Sequence, residues 1–532
     1  MRNSTFRTLF PLVGLVPFVL LFAVPVLLVL SSAGPASLAL VFTSSYYLRL
    51  IGFTLFQAFL STVFSLAAGL PAAYLLSNYS FRGKRFFSTV FSVPFVLPSI
   101  LVVLGFVIFY GNSGYLNRFL MAVMNTSEPP LRILYRFPAV IAAHVFYNFP
   151  VIVSVLTGHW SSMPQDCEES AAVEGAGPVQ VFLRVTLPRL LPSVAGACAL
   201  VFLYCFTSFA IILVLGGGPG LSTIEVEIYR KARLELNTAM ASSLSLVSLV
   251  FVSLVLYFHL RLERSVHAND GTSYHRMKKL GKKSFPAYTY LVLAALALLL
   301  PMASVAFRSF FASASRGGKA VFSLRAYSSL LKNPSSIINS VATALLASIT
   351  GTIYALSVCY YIVNGKSAAG RRAASFAVLL PLAVSSIILG LGYFMVSSYF
   401  RSIPPLLILV PVHSIIIMPF AVRAILPAYR SIPASLTEEA RTMGAGDFRT
   451  FIHVHIPFMG RATGVSLAFG FTISIGELNS AVLLGFSSFP TIPTQIYGMI
   501  NSYNYQGACA MGTLLIVICF IALWAGSEDY QS

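Results

Sequence analysis

Few residues of this chain are spaced for covalent chemistry. The sequence has no His-Glu-x-x-His motif and no Cys-x-x-Cys pair, and its six cysteines lie mostly in apolar segments, where we expect small buried side chains. The glycine run Gly216–Pro219 is not followed by the Gly-Lys-Ser/Thr sequence that completes a phosphate-binding loop. We interpret this run as a turn, and we expect the chain to bind no ATP, no metal and no other cofactor.

Polar and aromatic residues inside apolar segments are the candidates for contact with a transported substrate. Glu477 stands out because a carboxylate within a membrane span is costly; it could attract a cationic substrate or form a hydrogen bond to a neighbouring helix. Aromatic residues could stack on a ring, although helix packing is the favoured interpretation. The candidates for a translocation path are Tyr204, Phe206, Ser208, Phe209, Glu477 and Asn479.

His144 and His413 recur at a spacing of 269 residues. For this pair, a structural hydrogen bond between helices is favoured over a proton relay.

A polar stretch, Glu168–Pro188, occurs a second time as Glu438–Pro457 at the same offset of 269 residues, without a gap. We call these the first and second polar loops, with bounds 164–188 and 433–457. The candidate docking residues of the first loop are Glu168, Glu169, Ala171, Gly175, Ala176, Phe182 and Pro188. Those of the second loop are Glu438, Glu439, Ala440, Gly444, Ala445, Phe451 and Pro457.

Each loop has the sequence signals of a short helix, a bend and a second helix. Ser435 and Glu438, like Asp166 and Glu169, have the spacing of a capping box at a helix start. The Gly-Ala-Gly run permits a sharp bend, and the later proline is expected to mark the start of the next membrane helix. Such a unit suits a knob that inserts into another protein; the alternative is a pair of amphipathic loop helices with no partner.

Composition places the chain in a lipid bilayer. Of its 532 residues 57% are hydrophobic and 10% are charged, whereas soluble proteins average about 25% charged residues. The net charge of +19 sits in short loops between apolar spans, which argues against nucleic acid as a partner. We predict an all-α membrane protein with about twelve spans, at 9–31, 48–76, 87–110, 138–157, 190–215, 239–260, 287–307, 337–363, 374–399, 404–427, 462–484 and 507–525.

The basic residues of the loops orient these spans with the N-terminus and both polar loops in the cytoplasm. The offsets between matching residues divide the chain into two parallel repeats. We predict a first half at 1–260, a basic cytoplasmic linker at 261–286 and a second half at 287–532.

The pattern Glu-x-Ala-x-x-x-Gly-Ala, then Phe, then a hydrophobic residue and Pro, resembles the EAA loop of binding-protein-dependent ABC importer permeases. Two copies in one chain resemble the fused permeases of thiamine and ferric-iron importers, and residues 206–219 and 222–229 are closer to the thiamine type. Ser170 stands where that family usually has alanine.

The resemblance implies a type I permease of the inner membrane, whose two halves form the path. It also implies two copies of a cytoplasmic ATPase docked on the loops, and a periplasmic binding protein that delivers the substrate. The alternative from another class is a twelve-helix secondary transporter, which the basic loop at 80–85 faintly resembles. We expect no enzymatic activity in this chain.

Overall fold

The computed structural model describes residues 2–216, 218–267, 277–281, 284–313, 320–399 and 402–527, and these are predominantly helical. Apolar segments in lipid form helices because each helix satisfies its own backbone hydrogen bonds. Two small sheets accompany the helices. Strands β1 (Tyr79–Ser80) and β2 (Lys278–Lys279) pair in parallel, and β3 (Phe311–Ser313) and β4 (Ala320–Phe322) pair antiparallel.

The helices are numbered in chain order. Up to residue 267 they are α1 Arg2–Phe18, α2 Val24–Ser31, α3 Pro35–Thr43, α4 Ser45–Asn78, α5 Lys84–Val96, α6 Ser99–Tyr110, α7 Tyr115–Met124, α8 Phe137–Ser162, α9 Asp166–Val173, α10 Pro178–Val181, α11 Leu187–Phe206, α12 Ala210–Leu215, α13 Ile224–Tyr229 and α14 Thr238–His267. From residue 285 they are α15 Phe285–Phe310, α16 Arg325–Lys332, α17 Ser335–Asn364, α18 Ala368–Ala377, α19 Ser386–Tyr399, α20 Pro405–Arg430, α21 Ala434–Thr442, α22 Asp447–Thr450, α23 Ile456–Phe458, α24 Gly460–Ile475, α25 Asn479–Leu484, α26 Ile492–Asn501 and α27 Tyr505–Ser527. Short π-helical segments lie at Val19–Ala23, Phe182–Thr186, Arg230–Leu234 and Phe451–His455, and 3₁₀ turns at Pro219–Leu221 and Leu380–Leu382.

Ten helical stretches among the described residues are long and apolar enough to cross a membrane, and up to twelve if each of two bent pairs counts as one span. The all-α membrane fold is thereby confirmed. Several predicted spans are nevertheless broken. The segment at 87–110 breaks before Pro98, where Leu97 is extended because the residue before a proline avoids the α conformation. The segment at 374–399 bends by 92° between Leu382 and Ser386, just after the 3₁₀ turn that contains Pro381.

The chain divides into two compact units. One unit comprises residues 1–39, 228–246 and 309–532, and the other comprises 40–227 and 247–308. Each unit therefore contains most of one sequence repeat, together with the first membrane helix of the other repeat. We call them the second-repeat unit and the first-repeat unit. Helix α14 continues to His267, seven residues beyond the predicted end of the first half, and linker residues 268–276, 282 and 283 lie outside the described ranges.

Close helix contacts fix the borrowed helices in place. In the second-repeat unit, Gly14 of α1 donates its backbone N–H to Ser357 Oγ of α17 at 2.9 Å, and a Cβ on Gly14 would lie 2.6 Å from the Tyr354 carbonyl oxygen. In the first-repeat unit, the Tyr290 hydroxyl of α15 donates to the Ala68 carbonyl of α4. The same kind of contact, made by the first helix of each repeat, holds both units together.

Candidate functional site

The first polar loop begins with an exposed helix, α9, that ends in a Schellman motif. Gly175 has a φ of +90° and its N–H bonds to the Ala172 carbonyl at 3.1 Å. The N–H of Ala176 bonds to the Ala171 carbonyl at 3.0 Å. These two bonds satisfy the last carbonyls of the helix, and the left-handed conformation between them favours glycine.

The second polar loop repeats this geometry. Gly444 has a φ of +83° and its N–H bonds to the Arg441 carbonyl at 2.9 Å. The N–H of Ala445 bonds to the Ala440 carbonyl at 2.9 Å. The predicted bend at each Gly-Ala-Gly run is therefore confirmed. The structure also shows why alanine follows the glycine: its N–H closes the longer of the two bonds.

The predicted capping boxes are wrong. Neither α9 nor α21 has a side-chain cap, and their N-cap residues are Gln165 and Pro433. Both helices start earlier than the pattern indicated, so that Asp166 and Ser435 lie inside the first turn, beyond the capping position. Asp166, Glu168 and Glu169 instead place negative charge at the positive end of the α9 dipole.

The outer surface of each loop carries apolar side chains as well as carboxylates. Glu169, Glu438 and Glu439 are exposed. Val173 and Met443, at the tips of the two helices, are each 88% exposed. Val179 and Phe448 occupy equivalent positions after the bend and are also exposed. These four apolar residues were missed from sequence, although an apolar residue in a polar loop was an available signal for a contact surface.

After the bend, each loop runs into a membrane helix through a π-turn. The π-turns at Phe182–Thr186 and Phe451–His455 are at equivalent positions, directly before the helices that contain Pro188 and Pro457. In the first loop, Pro178–Phe206 forms one span, so Pro188 lies within a continuous helix and does not mark its beginning. In the second loop the helix ends at Phe458 and bends by 74° at Met459. A widened turn before a proline absorbs the backbone hydrogen bond that proline cannot make.

A hydrogen bond ties the exposed helix of each loop to its π-turn. In the first loop, Thr186 Oγ1 donates to Glu168 Oε1 at 2.6 Å. In the second loop, Thr437 Oγ1 and His455 Nε2 bond at 3.1 Å, and His455 Nδ1 is also bonded to the Tyr429 hydroxyl at 3.1 Å. Positions 168 and 437, and 186 and 455, are equivalent at the offset of 269. The two loops thus preserve one tie with different chemical groups.

The second loop has an additional support from the N-terminal helix. Arg7 binds both carboxylate oxygens of Asp447, with Nε at 2.6 Å from Oδ2 and Nη2 at 2.8 Å from Oδ1, and the pKa of Arg7 is raised mainly by this bond. The Asp447 side chain is only 9% exposed and also contacts Arg441 at 3.3 Å. Phe6 and Phe10 pack beside this pair, with the Phe10 ring 4.8 Å from that of Phe451.

The aromatic residues around Phe6 and Phe10 form a single cluster. Phe6 lies 5.3 Å from Phe448 and 5.4 Å from Tyr360 between ring centroids, and Tyr360 lies 5.6 Å from Phe451. The start of α1 is thus packed directly against the second loop. The sequence gave no local sign of this contact, because Arg7 and Asp447 are 440 residues apart.

Two of the candidate path residues lie at helix breaks. The segments predicted as spans 190–215 and 462–484 both interrupt their helices, between α11 and α12 at Thr207–Phe209 and between α24 and α25 at Gly476–Leu478. Ser208 and Glu477 are half-buried at the centres of these equivalent breaks. Glu477 Oε1 accepts from the Ser480 N–H at 3.1 Å, which places the carboxylate at the start of α25. Asn479 Nδ2 donates to Ser386 Oγ of α19 at 2.8 Å.

The aromatic candidates are placed differently from one another. Phe206 and Phe209 are each 1% exposed, and Phe206 packs 6.0 Å from Phe251. Tyr204 is half-buried. Helix packing therefore accounts for both phenylalanines.

The two recurrent histidines form the predicted hydrogen bonds between helices. His144 Nδ1 on α8 bonds to Ser61 Oγ on α4 at 3.0 Å, and His413 Nδ1 on α20 bonds to Ser474 Oγ on α24 at 2.7 Å. The structural interpretation of this pair is confirmed. Within the described ranges, no group of three or more His, Cys, Asp or Glu side chains could hold a metal ion.

Comparison with known proteins agrees with this geometry. Residues 65–268 match the family described as binding-protein-dependent transport system inner membrane component. The thiamine transport system permease protein of Brucella abortus is 27% identical over 89% of this chain and 86% of its own length, and that of Escherichia coli is 25% identical over 90% and 89%. The ferric transport system permease protein of Actinobacillus pleuropneumoniae is 25% identical over 91% of this chain and 71% of its own length.

These relatives are permease subunits, and they span most of the present chain, including both polar loops. The chain is therefore a multi-pass inner membrane permease of the fused, two-half type, without catalytic activity of its own. It belongs to the family of binding-protein-dependent transport system inner membrane components.

Proposed function

We propose that this permease imports thiamine or its phosphates, delivered by a periplasmic binding protein and driven by ATP that a separate subunit hydrolyses. The observation that carries this proposal is the extent of the similarity to thiamine permeases, which spans about nine tenths of this chain and nearly as much of each relative. The similarity is strongest in what it implies about the whole molecule, since both repeats are included.

The two polar loops are the proposed docking points for two copies of the ATPase subunit. Each loop presents an exposed helix with carboxylates and an apolar tip, Val173 or Met443. The Schellman motif and the tie across the bend hold that helix to a membrane helix. A knob built in this way can transmit a rigid-body movement, as alternating access requires. The proposal places both loops, and the N-terminus, on the cytoplasmic side.

Ser208, Glu477 and Asn479 are the proposed contacts for the substrate. A helix break frees backbone groups that must be satisfied by protein or by a polar cavity, so irregular backbone at membrane depth is typical of a transport path. A half-buried carboxylate at such a break suits a cationic substrate such as thiamine. The equivalent Ser208 carries no charge, which makes the two repeats chemically different at this level.

The docking proposal is tested by Glu438→Lys and Gly444→Pro. The first reverses an exposed charge on α21, and the second replaces a residue at φ +83° by one fixed near −65° and removes the N–H that bonds to Arg441. Both variants should remain in the membrane at normal abundance and lose most ATP-dependent uptake. Glu128→Lys, the same charge change on the exposed loop between α7 and α8, is the matched control and should transport normally. Normal uptake by both loop variants would exclude docking at this loop.

Ferric iron is the second candidate substrate, favoured by the similarity to the ferric permease. Reconstituted permease and ATPase distinguish the two: thiamine-loaded binding protein should stimulate ATP hydrolysis, and stimulation by iron-loaded protein alone would assign the iron function. A secondary transporter would instead show uptake that persists when the ATPase subunit is deleted.

A further inference from the structure

A cavity of about 630 Å³ lies beside the first polar loop, wholly within the first-repeat unit. Its aromatic wall consists of Tyr74, Trp160 and Phe182; the Trp160 ring is 5.4 Å from Tyr74 and 6.2 Å from Phe182 between centroids. Glu168 and Glu169 provide carboxylates, and Lys278 provides one cation at the margin. A mostly apolar cavity of this size with a few polar groups has the dimensions of a small-molecule site.

The second repeat shows what kind of group occupies the corresponding space. The cavity residues Leu70, Pro178, Val179 and Phe182 are equivalent to Ser357, Asp447, Phe448 and Phe451. All four of those counterparts contact the start of α1: Ser357 bonds to the Phe10 carbonyl, Asp447 binds Arg7, and the two phenylalanines pack on Phe6 or Phe10. Two aromatic rings and a cation therefore fill, in the second repeat, the position that is a cavity in the first.

The charge of the cavity is suited to the same combination. Glu168 and Glu169 outnumber Lys278, so the cavity has an excess of negative charge. Glu168 uses Oε1 to accept from Thr186. An aromatic ring can stack on the Tyr74–Trp160–Phe182 wall while its positive charge lies near the carboxylates, and a cation over these rings gains further attraction.

We propose that this cavity binds a small organic cation that carries an aromatic ring. Because Ala172, Ala176 and Phe182 of the first loop line the cavity, an occupant packs against the first docking loop and leaves the second unaffected. Thiamine has the required chemistry. That thiamine is the natural occupant rests on the proposed function, since imported thiamine would reach the side of the membrane where this loop lies.

The chain offers a direct spectroscopic test, because it has two tryptophans, Trp160 in the cavity wall and Trp524 in α27. The full chain with Trp524→Phe, in phosphatidylcholine nanodiscs, reports on Trp160 alone. Benzyltrimethylammonium should change its fluorescence saturably. Tetramethylammonium, which lacks the ring, and benzyl alcohol, which lacks the charge, should each bind at least about tenfold more weakly.

Two further variants locate the site. Ala172→Phe adds a ring to the cavity lining and should abolish the response, whereas Val173→Phe, one residue further on and outside the lining, should retain it. Glu168→Gln should weaken binding by about fivefold, as for a partly exposed ion pair. An absent response, equal binding of the three probes, or a response that survives Ala172→Phe would overturn the proposal.

Thiamine is then titrated in the same preparation. A saturable response that Ala172→Phe removes supports thiamine as the occupant. Binding of benzyltrimethylammonium without binding of thiamine would overturn the thiamine assignment and leave the cavity proposal standing. Uptake of labelled thiamine by cells, measured separately, tests the proposed function, so failure of one proposal is not mistaken for failure of the other.

Discussion

Replacing Gly175 by alanine should strain the first polar loop, whereas replacing Gly177 should not. The two glycines lie two residues apart in the same loop, and no atom lies within 4 Å of the position that a Cβ would take at either one. They differ in backbone conformation, since Gly175 has a φ of +90° and Gly177 a φ of −68°. The pair therefore separates the effect of conformation from the effect of space.

The expected difference follows from the left-handed conformation alone. A non-glycine residue in that region costs about 1–2 kcal/mol. The loss of chain entropy in the unfolded state is common to both alanine variants and cancels in the comparison. A local opening of the Schellman motif should therefore be about 5- to 30-fold more populated in Gly175→Ala than in Gly177→Ala.

Hydrogen–deuterium exchange of the purified chain, followed by mass spectrometry, measures this opening. The N–H of Ala176, which bonds to the Ala171 carbonyl, becomes free when the motif opens. Peptides that contain the first loop should exchange faster in Gly175→Ala by the stated factor. Peptides that contain the second loop should be unchanged in both variants and serve as an internal control. Equal exchange of the first loop in the two variants would refute the conformational explanation of the Gly-Ala-Gly bend.

Three further predictions address the contacts that hold the loops and spans. Thr186→Val should speed exchange of α9 by roughly tenfold, since a hydrogen bond to a charged acceptor contributes about 1.5 kcal/mol; Glu168→Thr with Thr186→His, which copies the second loop, should restore protection, and no recovery would contradict the equivalence of the two ties. Arg7→Met should lower the free energy of unfolding by about 1 kcal/mol, with Arg7→Lys intermediate because lysine binds a carboxylate through a single point, and an unchanged melting temperature would show that the pair is not stabilising. Ser474→Ala should leave the shape of the pH–uptake profile unchanged, because His413 holds two helices together; a shifted profile would indicate proton transfer instead.

The repeat was the most informative part of the sequence. Matching residues at a fixed offset predicted both bends, and the positive φ of Gly175 and Gly444 explains why that spacing is preserved. The helix starts were misjudged because Ser435 and Asp166 satisfy a capping pattern, while the backbone begins the helix at Ala434 or at Asp166 itself. Local patterns identify a helix, but competing local starts differ by only about 1 kcal/mol.

The breaks at Ser208 and Glu477 were not predicted, since apolar residues continue on both sides and give the hydropathy of one uninterrupted span. The available signal was a pair of polar or small residues at equivalent positions, Thr207-Ser208 and Gly476-Glu477. Contacts between distant segments were beyond the reach of sequence patterns. The Arg7–Asp447 pair and the cavity beside Trp160 depend on which helix packs against each loop, and only the tertiary structure determines this.

The exchange of first helices between the units has a consequence for how the chain is made. Helix α1 leaves the ribosome first, but its packing partners in the second-repeat unit begin after residue 309. At about 5–20 residues per second, α1 waits roughly 15–60 s in the bilayer before those partners are synthesised. The first-repeat unit becomes complete only when α15 has been inserted, so neither unit can close while the ribosome is still within the first repeat. Biogenesis of the two units is thereby coupled to translation of the whole chain, and a truncated product retains one unpartnered helix for quality control to detect.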